Sequence, residues 1–568
     1  METLRNSQKI SIIEIYLIMH KYIFHRITLL TTATLIFTNA FCGTNILVGK
    51  SASQDGSTFC TYSADSYYLY GELSFYPNAD YSKYTMTDIY GWDTHKYQGK
   101  IEQVANTYAV LGNINEHQVC ITESTFGGRK ELIDTTGILD YGNLIYITLQ
   151  RSRTAQEAIQ VMSDLVDRYG YCSSGETFSI ADPNEIWIME MIGKGPDVKG
   201  AVWVALRVPD DCVSAHANHS RITTFPLNDR VNCKYSRDVI SFAKEMGYFD
   251  GRNKDFNFSE VYDPESFNAR RFCESRVWSI FRKLDPSTEK YVDYILGKSN
   301  ERLPLWIKPQ KKVSLLELKN LMRDHFENTP LALNNDVGAE PFGAEYRFEP
   351  RFWEVDGKTY FNETPIASPK NAFSFIAQMR NWLPNKIGGV LWFGVDDATF
   401  TVYIPIYCGT NAVPKCFSVG NGSLLQFSWE SAYWVFNWVS NLAYGKYKYM
   451  AEDIKKVQSE FEQKLEDNLE VVEVAAQSLY KKSPEYANRF LTEYSENQAN
   501  IMMKEWKALG EFLMVKYADG NIKRERNGKF IDNSWGIPED IQTPGYSDDY
   551  YRRIIETTGE KFVVPENK

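Results

Sequence analysis

The chain lacks any C-x-x-C pair or ladder of regularly spaced cysteines, because its nine cysteines fall at 42, 60, 120, 172, 212, 233, 273, 408 and 416. That scatter excludes the common zinc frameworks and a disulfide-stapled miniprotein. No long basic run occurs, and a net charge of -11 with a pI near 5.4 leaves no electrostatic footprint for a phosphate backbone, so nucleic acid is not an expected partner. A G-x-S-x-G nucleophile elbow is absent, Gly127-Gly128-Arg129 has no phosphate-loop pattern around it, and Glu116-His117 lacks the second histidine of a zinc-protease helix. Histidine is scarce, with seven in all, and His216 and His219, three apart, have no evident third ligand. No metal or other cofactor is expected. The one long hydrophobic run covers residues 27–37 and is too short for a comfortable membrane span. Internal repeats and low-complexity linkers are missing as well.

What is present is a chain of 568 residues, 43% hydrophobic and 14% aromatic, with ample material for a large globular core. From Met19, which could be the true start, Lys21, His25 and Arg26 precede the apolar run, and Thr38-Asn39-Ala40 follows it with small residues suited to leader cleavage. Residues 1–41 therefore read as a secretory signal peptide plus Phe41, a one-residue propeptide left by a cut after Ala40. The expected product is an exported protein, periplasmic or extracellular, without a stable membrane anchor. Its first residue would be Cys42. A thiol at the head of a chain carries its own base, because a free α-amino group has a pKa near 8 and is partly neutral at neutral pH.

Residues 44–150 read as short strands between turns, with Asp55-Gly56 a hairpin dipeptide. Residues 176–190 form two alternating runs around the turn Asp182-Pro183-Asn184. Between them, Ala158, Val161, Met162, Leu165 and Val166 have helical spacing behind a Thr154 cap. After about residue 425 the pattern turns to long helices. Met450, Ile454, Val457, Phe461 and Leu465 recur at three- and four-residue steps, and Ser483-Pro484-Glu485 opens a second helix running towards Asp519-Gly520. Trp429, Tyr433, Trp434, Phe436 and Trp438 read as packing core. Cys408 and Cys416 flank a turn-rich stretch and could close a small disulfide or stay two buried thiols.

Several motifs in order carry a family resemblance: Cys42, then residues 44–50 (Thr-Asn-Ile-Leu-Val-Gly-Lys), 52–58 (Ala-Ser-Gln-Asp-Gly-Ser-Thr) and 63–66 (Ser-Ala-Asp-Ser). They are followed by Asn115-Glu116-His117, Glu123 to Gly128, Val208-Pro209-Asp210, Ser214 to Asn218 and Arg270-Arg271-Phe272. From residue 42 to about 420 the chain resembles the bacterial dipeptidase A family of cysteine N-terminal-nucleophile hydrolases, with penicillin V acylases and bile salt hydrolases as more distant relatives. The resemblance implies an α+β fold, an αββα sandwich over residues 42–424, to which a helical C-terminal region, 425–568, is added. It implies Cys42 as nucleophile and α-amino base, Asp65 at that amino group, Asn218 as oxyanion donor, and Arg271 near the thiolate, with Arg270 an alternative register.

Three features depart from the family's pattern. Gly43 intervenes where a threonine usually follows the nucleophile, Tyr62 stands where many members carry an arginine, and Phe41 blocks the amine of Cys42 until it is removed. The expected activity is hydrolysis of short peptides through an acyl-enzyme. An acylase of bile salt or penicillin type is the alternative, and a lipid-anchored non-catalytic protein a further one, opposed by bulky Phe41 before the cysteine. Self-association is left open.

Overall fold

A computed structural model describes residues 43–196 and 198–566; Cys42, Phe41 and the expected leader lie outside the described residues. The chain divides at Phe41/Cys42 into two units, and the second is built from strands and helices. Its main strands are β1 (Asn45–Val48), β2 (Thr58–Asp65), β3 (Cys120–Gly127), β4 (Gly175–Ala181), β5 (Ile186–Gly193), β6 (Ala201–Val208), β7 (Val213–His216), β8 (Asn371–Met379), β9 (Val390–Val395) and β10 (Ile404–Tyr407). Its main helices are α1 (Tyr141–Leu149), α2 (Ala155–Tyr169), α3 (Ser275–Leu284), α4 (Ala432–Tyr444), α5 (Tyr447–Tyr480) and α6 (Pro484–Lys516).

Strands 7-1-2-8-9-10, with Trp306–Ile307 at the β7 edge, make a seven-stranded antiparallel sheet in which β1 and β2 are central. Strands 6-5-4-3, extended by short pieces at both ends, make an eight-stranded one. The sheets face each other across polar as well as apolar contacts. The Cys60 thiol lies 3.2 Å from Thr122 Oγ1, and the His216 ring on β7 reaches Ser124 Oγ on β3 and Ser179 Oγ on β4, both at 2.6 Å. Burial, reinforced by the positive charge of Arg221, pushes the His216 pKa down to about 3, so this imidazole is neutral and structural. Both ring nitrogens are occupied, as are those of His219, which pair with Asp263 and Arg302. Among the described residues no cluster of three His, Cys, Asp or Glu could hold a metal.

Helices cover the outer face of each sheet. Leu144, Ile147, Ala158, Met162 and Val166 from α1 and α2 form a core with Ile121, Phe178, Ile180 and Trp187. On the other side α4, α5 and α6 join the main core, Phe436 stacking on Trp506 at 4.5 Å and Ser495 donating to the carbonyl of Pro405 on β10. The result is a mixed α+β structure. Strands β1, β2, β4 and β5 are buried at every position because both of their faces are covered, which removes the alternation that marks a half-exposed strand.

Local signals explain the element ends. The Thr154 hydroxyl accepts from Glu157 N, Asp182 turns β4 into β5 by accepting from the N–H groups of Asn184 and Glu185, and Ser483 caps α6 with proline at its first turn. Helix α6 is continuous to Lys516. Of the aromatic cluster expected as core, Phe436 is buried while Trp429 is 48% exposed at the rim. Cys408 and Cys416 are separate buried thiols, Cys408 donating to the Asn385 carbonyl. No helix among the described residues is long and apolar enough to cross a membrane.

Asp396 links α4 to the sheet, accepting from Asn437 Nδ2 and Ser440 Oγ at 2.8 and 2.6 Å. Burial, reinforced by neighbouring Asp397, raises its pKa to about 7. In this range the native state binds the extra proton, so the group's favourable contribution is complete below about pH 4 and lost as pH rises through 7. Asp396→Asn is accordingly expected to flatten the fall in stability between pH 5 and pH 8, measured by urea unfolding at both values. An undiminished slope in the variant would remove Asp396 as its source.

Candidate active site

The site is built around the start of β1, read from Gly43 onward. Gly43 N donates to Asn218 Oδ1 at 3.0 Å, and Thr44 N donates to Ser63 Oγ at 3.1 Å. A side chain at Gly43 would begin 3.1 Å from the Ser63 carbonyl oxygen, 3.2 Å from the Tyr62 ring and 3.3 Å from the Glu123 carbonyl oxygen. The residue after the candidate nucleophile therefore passes where threonine or even alanine would crowd the backbone of both sheets.

Asn218 sits in the loop after β7 in a left-handed conformation (φ 61°), which asparagine tolerates better than most residues. Its Oδ1 accepts from Gly43 N and from Arg276 Nη2 (2.9 Å), and its Nδ2 donates to the Thr125 carbonyl at 2.9 Å. Two donors on the oxygen and a carbonyl facing the nitrogen fix the amide's orientation.

Asp65 ends β2 and is buried. Its Oδ1 accepts from Asn371 Nδ2 at 2.6 Å and its Oδ2 from Ser63 Oγ at 3.3 Å, so Ser63 connects it to Thr44 N. Burial raises the Asp65 pKa to about 6 despite the opposing charge of Arg276 and the hydrogen bonds of Asn371 and Ser63. Asp65 also lines a narrow cavity with Arg347, Arg351, Glu363 and Lys370.

Arg271, expected beside the nucleophile, is ion-paired with Glu363 on that cavity wall and lies over the Phe361 ring at 5.4 Å. None of its hydrogen bonds reaches residues 43–45. Arg270 pairs with Glu265. The guanidinium that does reach the start of β1 belongs to Arg276, five residues on, in the first turn of α3 just past a wide turn of π-helix, Ala269–Glu274. Its Nε donates to the Phe272 carbonyl, Nη1 to the Gly43 carbonyl (3.2 Å) and Thr44 Oγ1 (2.9 Å), and Nη2 to the Ala217 carbonyl and Asn218 Oδ1. All five N–H groups are used by one set of neighbours. Sequence reading missed this residue, since an arginine in an amphipathic helix reads as a solvent-facing charge. It also missed Asn371, which holds Asp65, and the acidic pair Glu123 and Glu176 beside Tyr62, whose hydroxyl donates to Glu123 Oε1 at 2.6 Å.

Two sheets and a helix thus converge on the head of one strand, pinning it through its amide, its carbonyl and a carboxylate relay. The chain belongs to peptidase family C69, which residues 69–460 match. Among proteins it resembles, the Dipeptidase A of Lactobacillus helveticus is 24% identical over 442 residues, covering 74% of this chain and 85% of that protein. A "Probable dipeptidase" of Latilactobacillus sakei is 23% identical over the same length and shares. Another of Salmonella dublin is 25% identical over 411 residues, 69% of this chain and 85% of that protein.

Proposed function

We propose that the protein is an exported dipeptidase of N-terminal-nucleophile type, in which Cys42, freed by loss of the leader and Phe41, attacks the peptide carbonyl and forms an acyl-enzyme. The observation that carries this reading is the clamp on Gly43: backbone N–H, carbonyl and following amide are each held by a separate group, as positioning a reactive residue just before them requires. The family membership and the names of the relatives support peptide bonds as the target. The stacked antiparallel sheets, with β1 at the centre of one, support the αββα sandwich of this hydrolase type.

In this mechanism the Cys42 α-amine takes the thiol proton, the thiolate adds to the carbonyl, and the protonated amine returns the proton to the departing amino group; water then enters by the reverse route. Asp65 orients that amine. Asn218 Nδ2, which donates to the Thr125 carbonyl, is the proposed oxyanion donor. Arg276 positions the strand rather than touching substrate, and Arg271 holds Glu363, which lines the cavity beside Asp65.

A panel of unblocked dipeptides assayed beside a taurine-conjugated bile acid and a phenoxyacetyl amide tests the substrate class. Hydrolysis of dipeptides alone is expected. Preferred turnover of the conjugated amides would transfer the same machinery to an acylase.

A further inference from the structure

The other buried glutamates among the described residues are matched. Glu274 pairs with Arg221 at 2.9 Å, Glu462 with Arg323 at 2.7 Å and Glu473 with Arg380 at 2.6 Å, while Glu190 accepts from Ser220 and from the N–H groups of Arg221 and Ile222. Glu123 and Glu176 break this rule beside the start of β1. They project from neighbouring strands β3 and β4 on one face, 4% and 1% exposed, with their carboxyl groups within hydrogen-bonding reach of each other. Among the described residues Glu123 accepts from the Tyr62 hydroxyl and shares a hydrogen bond with Glu176, whose Oε1 accepts from the Thr125 hydroxyl at 2.7 Å. Apart from Glu123, no group among the described residues donates to Glu176 Oε2. Asp65 and Asp93 are the next charges that act on Glu123, and both are negative. Among the described residues none of these four acids is in an ion pair within 4 Å. Burial accordingly pushes both glutamates upward.

The position bears on substrate. The Glu123 carbonyl accepts from Asn45 Nδ2 at 2.7 Å and borders Gly43, and the Tyr62 ring, whose hydroxyl donates to the Glu123 carboxyl, borders Gly43 as well, so the pair stands beside the start of β1. Half-buried Tyr141, near enough to feel the charge of both glutamates, donates its hydroxyl to exposed Asp93 on the turn of the hairpin formed by Met86–Tyr90 and Tyr97–Glu102. Two carboxyl groups lacking a cation, beside a nucleophile that attacks the first carbonyl of a short peptide, match a primary ammonium with three donors.

We propose that Glu123 and Glu176 form the subsite for the substrate's α-ammonium group, so that a free amino terminus is recognised by this pair. The proposal rests on the dipeptidase reading for its choice of ligand. It goes beyond that reading in assigning specificity for an unblocked amine to two residues outside the Cys42, Asp65 and Asn218 set.

The test is calorimetric binding to the mature full chain carrying Cys42→Ala, with L-alanyl-L-alanine and N-acetyl-L-alanyl-L-alanine as probes. The free dipeptide is expected to bind at least ~10-fold more tightly, the size of one charged hydrogen bond in a buried site. Adding Glu176→Gln, or Glu123→Gln should the first not fold, is expected to bring the two affinities within about threefold by weakening the free dipeptide alone. Equal affinities in the Cys42→Ala protein, failure of both probes to bind, or discrimination that survives both glutamine substitutions would overturn the proposal. Failure of the dipeptidase reading is separately visible: wild-type enzyme would leave both probes intact while binding still discriminated.

Discussion

Cys42→Ala is expected to abolish dipeptide hydrolysis, a loss on the order of 10⁴-fold or more, while melting temperature and chromatographic behaviour stay those of the wild type. The size follows from the division of labour proposed around β1. In the proposed mechanism Asn218, Asp65, Ser63 and Arg276 supply orientation and charge, and none of them replaces the thiol as nucleophile. Cys42→Ser is expected to retain a small fraction of activity, because a hydroxyl is a poorer nucleophile that a weak amine base deprotonates less readily than a thiol. Undiminished hydrolysis in Cys42→Ala would remove the proposed mechanism.

Arg276→Met is expected to reduce kcat/KM by at least ~10²-fold and to lower stability by about 2–4 kcal/mol, among the larger single-substitution effects. The side chain is 1% exposed, and its loss removes a hydrogen bond from each of five acceptors: the carbonyls of Gly43, Ala217 and Phe272, Thr44 Oγ1, and Asn218 Oδ1, which keeps only Gly43 N of its two donors named above. Arg276→Lys keeps the charge but replaces a planar fork by a single ammonium that cannot span Nη1 and Nη2 partners together. It is expected to recover part of the stability and little of the activity, because strand placement depends on the geometry of the fork. Thermal unfolding and dipeptide kinetics on both variants separate these contributions. Wild-type kinetics in Arg276→Lys would show that charge alone suffices.

Much of the architecture was legible in the sequence where a signal is local. The Thr154 cap, the Asp182-Pro183-Asn184 turn and the Ser483-Pro484 helix start all depend on neighbours within four residues, and each appears where its sequence places it. The site was legible only in part. Asp65 and Asn218 stand in ordered motifs, and the structure brings both to Gly43 through Ser63 and directly. Arg276 was not legible, since its role depends on α3 docking against β1 and the loop after β7, contacts separated by 58 to 233 residues. Arg271 carried the motif, but the π-helical turn that contains it directs its guanidinium to Glu363. The acidic pair was hidden for a related reason. Glu123 and Glu176 are ordinary charges in sequence, and only strand pairing of β3 with β4 sets them side by side without a cation.

Gly43 illustrates how a departure from a motif becomes intelligible in space. In sequence it displaces threonine from the position after the nucleophile. In the fold it lies against the backbone of Ser63 and Glu123, where the absence of a side chain allows both sheets to close on the head of β1. The proposed catalyst thus depends on what flanks it: a glycine that fits and a phenylalanine that must be removed.

The central claim, that an N-terminal Cys42 is the catalyst, is tested most directly by determining the first residue of active protein by terminal sequencing and intact mass. Cys42 is expected as the first residue, with activity rising in proportion to the fraction of chains that begin there. Full activity in protein that begins at Phe41 or earlier would contradict it, because the amine proposed as the base would then be a peptide bond.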